Sequence, residues 1–298
     1  MTVHGSVVRL RAGAYEAQVA QVGATLLSLT RNGRHLVHPV APGVLDDAWQ
    51  GRTLVPWPNR VVGGRYAVAG TAYQLPVNEA ATGAALHGLA AFQRWDSSAL
   101  EPDRVVWVLD LPASHGYPFE VRCRVTYALD PDAGLSVRVE GENQGARPAP
   151  FGASTHPYLT CDGRPLDECT LTLPAGSVLL TDDHLSPTRV VPVGGTALDL
   201  RSPTPLRGVR LDHAFTALPA TWAAELTHPT GGGVRLTSQA PWVQVYSGER
   251  LDRRGAAVEP MTCPPDAFNR DPHGVLLEPG ATRTLSLQIT ATEHPARP

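Results

Sequence analysis

Apolar and polar residues alternate one for one along much of the chain. The runs “RVVWVLDL”, “EVRCRVTYAL”, “LSVRVEGEN”, “VRLTS”, “WVQVYSG” and “TRTLSLQIT” all show it, and turn-forming residues bound them. A period of two places alternate side chains on opposite faces of a strand, and no long stretch carries the 3.6-residue period of an amphipathic helix. Asn32-Gly33, Ala69-Gly70 and the segment “DPDAG” fall between such runs, where tight antiparallel hairpins need them. The pattern therefore predicts an all-β fold, with strands from near residue 3 to near residue 291. No linker, charge block or fixed-period repeat divides these strands, so residues 1–298 read as one domain. Two large antiparallel sheets packed face to face would bury the apolar alternates and leave an outer face for a ligand. The proline-rich segments “VPWPNR” and “TCPPDAFN” are expected as loops at its rim.

One run breaks the rule. In “FGASTHPYLT”, residues 151–160, the imidazole of His156 is followed at once by Pro157. Proline has no backbone N–H for a ladder and belongs at a strand end, an edge or a bulge. His156 is thus expected where pairing stops and a side chain is aimed at a target.

Composition then removes alternatives. The chain contains no lysine, so all 25 of its Lys-plus-Arg residues are arginine. Schiff-base aldolases, pyridoxal-phosphate enzymes and P-loop nucleotide hydrolases, which centre on a lysine amine, are thereby excluded. A formal net charge of −3, without a basic block or acidic tail, gives no case for nucleic acid. No window approaches the roughly 18 apolar residues of a membrane helix. The start, “MTVHGSVVRLRAG”, lacks the pattern of a secretory leader, so a cytoplasmic location is expected. Cys123, Cys161, Cys169 and Cys263 form no C-x-x-C pair and read as reduced thiols, with a Cys161–Cys169 bridge across a hairpin as the alternative. Glycine and proline, 28 of each, make up about 19% of the chain, below the roughly 25–30% of disordered sequences.

Five short stretches place polar groups in unusual company: “PWPNRVVGG”, “ALHGL”, “THPYL”, “LDHAF” and “VEPMTCPPDAFN”. Singly, each has a structural explanation: a solvated Arg60, core histidines at 87 and 156, or turn caps at Asp212 and Glu259. No H-E-x-x-H, His-x-His or cysteine cluster marks a metal site. A Ser-His-Asp triad lacks its G-x-S-x-G elbow.

Taken together and in order, with “GYPFEVRCRVTYAL” and “VQVYSG” between them, these stretches resemble the aldose 1-epimerase (galactose mutarotase) family across most of the chain. The resemblance implies a galactose mutarotase-like β-sandwich with a shallow sugar cleft. It implies His156 as the general acid at the ring oxygen and Glu259 as the general base at the anomeric hydroxyl. Arg60, His87, Asp212 and Gln244 match residues that bind ring hydroxyls or steady developing charge, with Asn59 and Tyr158 as further substrate-binding candidates. It implies a small sugar as the partner, no metal and no other cofactor, and a monomer or homodimer. The loop after Glu259 departs from the common family pattern, which has an aromatic or glutamine-bearing stretch before “PDA”.

The chemistry asks for such a pair. Opening a hemiacetal adds a proton at the ring oxygen while one leaves the C1 hydroxyl, and a fixed acid and base each contribute roughly 10²–10⁴-fold. With reference pKa values of about 6.5 for histidine and about 4.3 for glutamate, the expected starting state is an ionised Glu259, subject to a rise on partial burial, with Asp212 favouring a protonated His156. Three rival readings remain. A hexose 6-phosphate epimerase would need arginines beyond Arg60, such as Arg65, Arg94, Arg250, Arg253 or Arg254. A glycoside hydrolase would use Asp212 and Glu259 as paired carboxylates and leave “THPYL” unexplained. A sugar-binding module would bind without speeding anomer exchange. Glu278, in the turn of “GVLLEPGATRTLSL”, is expected to face solvent.

Overall fold

In a computed structural model, residues 3–41, 43–45, 48–230 and 232–292 are described; the remainder of the 1–298 domain reading lies outside them. Among these residues the strands form two large antiparallel sheets, of nine and eight strands, beside a four-stranded sheet near the start. The nine-stranded sheet owes its regularity to the alternating runs. Val121–Asp130 and Gly134–Asn143 pair without interruption from Val121 opposite Asn143 to Asp130 opposite Gly134. Their turn is closed by Asp130, whose Oδ1 accepts the backbone N–H groups of Asp132 and Ala133, both at 2.8 Å. Asn32-Gly33 and Ala69-Gly70 make the expected two-residue hairpins, with φ of 51° and 77° in one and 48° and 78° in the other.

One hydrophobic cluster joins the inner faces of both large sheets: Val125, Val137 and Leu285 from the first meet Phe215, Val243, Val245 and Val258 from the second. This is the sandwich that the period of two requires. All four cysteines are buried free thiols. Among the described residues, helix is confined to one short segment, Ala267–Arg270, and three 3-10 turns, and no helix is long and apolar enough to cross a membrane.

The eight-stranded sheet is the irregular one. Ser154–Thr155 and Tyr158–Leu159 both pair with Ala256–Met261, and His156-Pro157 forms the break between them, where the sequence places it. The expected rim loops are, by contrast, largely interior. Val55, Trp57 and Asn59 are buried, as are Cys263, Ala267 and Phe268. The Trp57 and Phe268 rings meet edge to face, 5.7 Å apart, and the Trp57 indole N–H donates to the Ala85 carbonyl. These segments are largely loops, as the prolines predict, but their aromatic residues have apolar surface to hide and carry much of each loop inward, while Asn59 and Arg60 line the cleft.

Candidate active site

The outer face of the eight-stranded sheet positions the polar groups. In Trp242–Tyr246, Val243 and Val245 point into the main core, so Gln244 and Tyr246 point outward. In Ala256–Met261 the same alternation buries Val258 and turns Glu259 outward; register sets Gln244 opposite Glu259 and Asp212 opposite Tyr246. Four side chains that are scattered along the chain thus share one face. The Gln244 amide donates to Asp212 Oδ1 at 2.6 Å, which fixes both.

His156 comes to this face through the strand break. Its backbone N–H donates to the Arg52 carbonyl at 3.0 Å, and its carbonyl accepts from Gly51 at 2.9 Å, so the interruption leaves these groups paired. Its ring stacks on Tyr158, centroids 5.0 Å apart and planes at 22°, and the Tyr158 hydroxyl donates to the Ala48 carbonyl. Nε2 of His156 lies 3.3 Å from Oε1 of Glu259, and both side chains are almost wholly buried.

A second loop pair supplies the opposite wall. Asn59 and His87 both adopt left-handed backbone, with φ of 53° and 61°. They grip each other: the His87 N–H donates to the Asn59 carbonyl, and the Asn59 N–H donates to His87 Nδ1. Gly88, at φ 75°, is required because a Cβ there would lie 2.1 Å from the Val55 carbonyl oxygen. The Asn59–His87 bond also fixes a tautomer, since an Nδ1 that accepts leaves the proton of a neutral imidazole on Nε2.

These walls enclose a cleft of about 310 Å³, and all eight residues singled out in the sequence line it: Asn59, Arg60, His87, His156, Tyr158, Asp212, Gln244 and Glu259. Of the five further arginines considered, Arg250 alone is among its lining residues. Arg253 is bound to Asp167 and Glu249, Arg254 reaches the Gly163 carbonyl, Arg65 holds Gln74 and Arg94 holds Gln21. Glu278 is exposed. Sequence reasoning did not single out Trp49, Glu79, Thr82 and Tyr246, which also line the cleft. Tyr246 was within reach, because it stands two residues from Gln244 on the same strand face. Trp49, whose ring meets His87 at 4.9 Å, and Glu79 sit in irregular segments without periodic pattern.

Burial works against the expected charge pair. It lowers the His156 pKa to about 3, with the Arg250 charge adding to the effect against a raising contribution from its own main chain. Burial also raises Glu259 well above the ordinary carboxyl value, helped by the Asp212 charge and opposed by Arg60. Both shifts favour the neutral partners, a carboxyl group beside an uncharged imidazole, over an imidazolium–carboxylate pair. Asp212 acts on Glu259 rather than promoting a charged His156. Asp212 is itself raised by burial, against the Arg60 charge and the Gln244 hydrogen bond, and His87 is pushed well below its usual value by burial and by His156. Buried polar atoms without a protein partner concentrate here: His156 Nδ1, Gln244 Oε1 and Glu259 Oε2. Such atoms are costly unless something polar binds them.

His87, His156 and Glu259 also bring ligand-type atoms within 4.8 Å of one another. The fixed tautomer argues against a metal there. One nitrogen of His87 already accepts an N–H and the other carries the proton, so neither offers the lone pair a cation needs. What the cleft offers is donors and acceptors in a half-open site of mixed polar and apolar lining, suited to a small polyhydroxylated molecule.

Residues 6–290 match the sequence model of a family described as aldose 1-epimerase. The uncharacterized protein YihR of Escherichia coli K12 is 42% identical over 97% of this chain and 94% of its own length. The galactose mutarotase of Mus musculus is 31% identical over 65% of this chain, which spans 60% of the mouse protein. Among solved structures, the GalM/aldose epimerase homologue from C. elegans superposes with a TM-score of 0.87 at 22% identity, covering 97% of this chain and 99% of its own.

Proposed function

The chain belongs to the aldose 1-epimerase family, and from that premise we propose that it interconverts the α and β anomers of a free aldose, such as galactose or glucose, by acid–base ring opening and reclosure. The observation that carries this reading is the buried His156–Glu259 contact of 3.3 Å on the polar side of the cleft. The two hemiacetal oxygens share one carbon, so an acid and a base that serve them must converge on one small region of the cleft, as these groups do.

The pair needs one proton between its members. Transfer of the carboxyl proton across the 3.3 Å contact makes His156 the acid and Glu259 the base without changing the net charge of the site. His156 then protonates the ring oxygen as the C1–O5 bond breaks, while Glu259 takes the C1 hydroxyl proton and a carbonyl forms. Rotation about C1–C2 presents the other carbonyl face, and closure runs the same transfers backwards. Tyr158 keeps the imidazole plane fixed, while Arg60, His87, Asn59, Asp212 and Gln244 hold ring hydroxyls. Proton-NMR exchange rates for galactose, glucose and xylose, with and without the protein, test this directly. Anomer exchange accelerated for none of them would overturn the reading.

One observation favours a second reading. Arg250 is among the lining residues, and its charge acts on His156, His87 and Glu79, so a sugar carrying a phosphate at C6 would meet a positive field there. Including glucose 6-phosphate and galactose 6-phosphate in the same panel separates the two readings by which class exchanges faster.

A further inference from the structure

Glu79 lies outside the acid–base chemistry, yet it is the most elaborately held carboxylate in the cleft. Arg60 donates to it through both Nε, at 2.6 Å to Oε2, and Nη2, at 2.8 Å to Oε1. The Thr82 hydroxyl donates to the same Oε2. The two charged side chains are only 12% and 13% exposed. Burial pushes the Glu79 pKa up, but the hydrogen bonds from Arg60 and Thr82 and the Arg60 charge outweigh it, so the group lies below the ordinary value and carries full charge at neutral pH.

The backbone around it is built to present that carboxylate. The Gly83 N–H donates to the Glu79 carbonyl, and Asn78 brackets the loop by accepting from the Leu86 N–H at 2.7 Å and donating to the Leu86 carbonyl at 3.0 Å. Leu86 in turn pairs with Arg60 across a short ladder. The loop, the carboxylate and the arginine are thus one mechanical unit on the cleft wall.

A guanidinium has five N–H donors in a rigid planar fork. Glu79 takes two of them along one edge and cancels the charge, leaving three N–H groups as neutral-like donors for hydroxyls. A fork without this partner would instead present a paired edge to a phosphate, the geometry that arginine matches best. Resting on the function proposed above, we propose that Glu79 is a specificity-determining residue: it occupies the fork of Arg60 and so biases the cleft toward an uncharged sugar and against one bearing an anionic group.

The test measures exchange rates and calorimetric binding of galactose and galactose 6-phosphate for the wild type, Glu79→Gln, Glu79→Asp, Arg60→Gln and the double variant Glu79→Gln/Arg60→Gln. Glu79→Gln removes the charge while keeping the shape. It should raise preference for the phosphorylated sugar over galactose by about tenfold, equivalent to about 1.4 kcal/mol, with galactose KM increased several-fold and kcat changed less than twofold. Glu79→Asp keeps the charge but loosens the fork, so discrimination against the phosphate should survive while galactose KM still rises. In the Arg60→Gln background the Glu79→Gln change should leave the preference unmoved, because the fork it acts through is gone. A preference unchanged by Glu79→Gln, or changed equally with and without Arg60, would overturn the proposal. The binding ratio decides this even if the wild type accelerates no anomer exchange, an outcome that would instead sink the proposed activity.

Discussion

The two large sheets are made from the same chain by opposite means. In the nine-stranded sheet, Val121–Asp130 runs its full length with every residue in register on Gly134–Asn143. In the eight-stranded sheet, Ser154–Thr155, Tyr158–Leu159 and Thr53–Leu54 are two-residue fragments separated by breaks. Each break sends backbone groups to partners outside the ladder, as His156 does with Arg52 and Gly51. An unbroken strand can only point side chains straight up or down, whereas a break turns one aside. The regular sheet therefore holds the fold, and in the interrupted one the break brings His156 to the Asp212, Gln244 and Glu259 that regular register already sets on one face.

The sharpest way to break that comparison is to exchange the consequences of substitution. His156→Ala or Glu259→Ala should reduce the anomer exchange rate by roughly 10²–10⁴-fold, with the thermal transition retained. Thr284→Ala, on the exposed outer face of the nine-stranded sheet, should leave the rate within twofold of wild type. Comparable losses from both sheets would end the division of labour. The acid limb of the pH–rate profile adds a second check. Because burial lowers His156 to about 3, the imidazole stays uncharged through mild acid, and the limb should lie well below the 6.5 of an ordinary histidine. A limb at 6.5 would mean that His156 titrates as an exposed group.

The converse prediction concerns stability. Gly141 interrupts the interior of the otherwise regular Gly134–Asn143 strand, and a Cβ there would meet the Phe151 ring at 2.1 Å. Phe151 is fully buried and has nowhere to go. Gly141→Ala should therefore cost roughly 1–3 kcal/mol, read as a lower denaturation midpoint. Activity per folded molecule should be preserved. A large loss of activity without loss of stability would mean that the regular sheet transmits strain into the cleft.

How much of this was legible in the sequence follows the same division. The period of two found the strands of the regular sheet and the hairpins at Asn32-Gly33 and Ala69-Gly70, because local backbone chemistry decides them. Pro157 correctly marked the break beside His156. The proline-rich segments 55–60 and 262–269 are largely loops, as their composition predicts, and Asn59 and Arg60 reach the cleft, but the burial of Trp57 and Phe268 is not legible because they find each other only in three dimensions. All eight candidate residues line one cleft, but resemblance rather than periodicity singled them out. Glu79 escaped notice because its meaning lies in Arg60, nineteen residues away. A rise of Glu259 on burial is within reach of the sequence, but the lowering of His156 is not, because burial of that ring is a property of the assembled sheet.

The smallest expected effect is also the most specific to the irregular sheet. Glu259 has a folded pKa raised above its unfolded value, so the folded state binds the proton more tightly. The stabilising contribution of that proton is complete below the ordinary carboxyl range and is lost as pH rises toward the raised folded value. At neutral pH the buried group is therefore a liability to the fold. Glu259→Gln removes it while keeping the shape and should stabilise the protein by roughly 0.5–2 kcal/mol, with an advantage over wild type that grows from pH 5 to pH 8 as activity is lost. His156 works in the other sense: its folded pKa is depressed, so its contribution is present above the ordinary histidine value and falls away as pH drops through 6.5 toward 3. Denaturation midpoints for wild type and Glu259→Gln, taken between pH 5 and pH 8, would separate the two slopes. An equal pH dependence in both proteins would show that Glu259 does not hold the proton, and the interrupted sheet would then carry its charge pair in the ordinary ionised form.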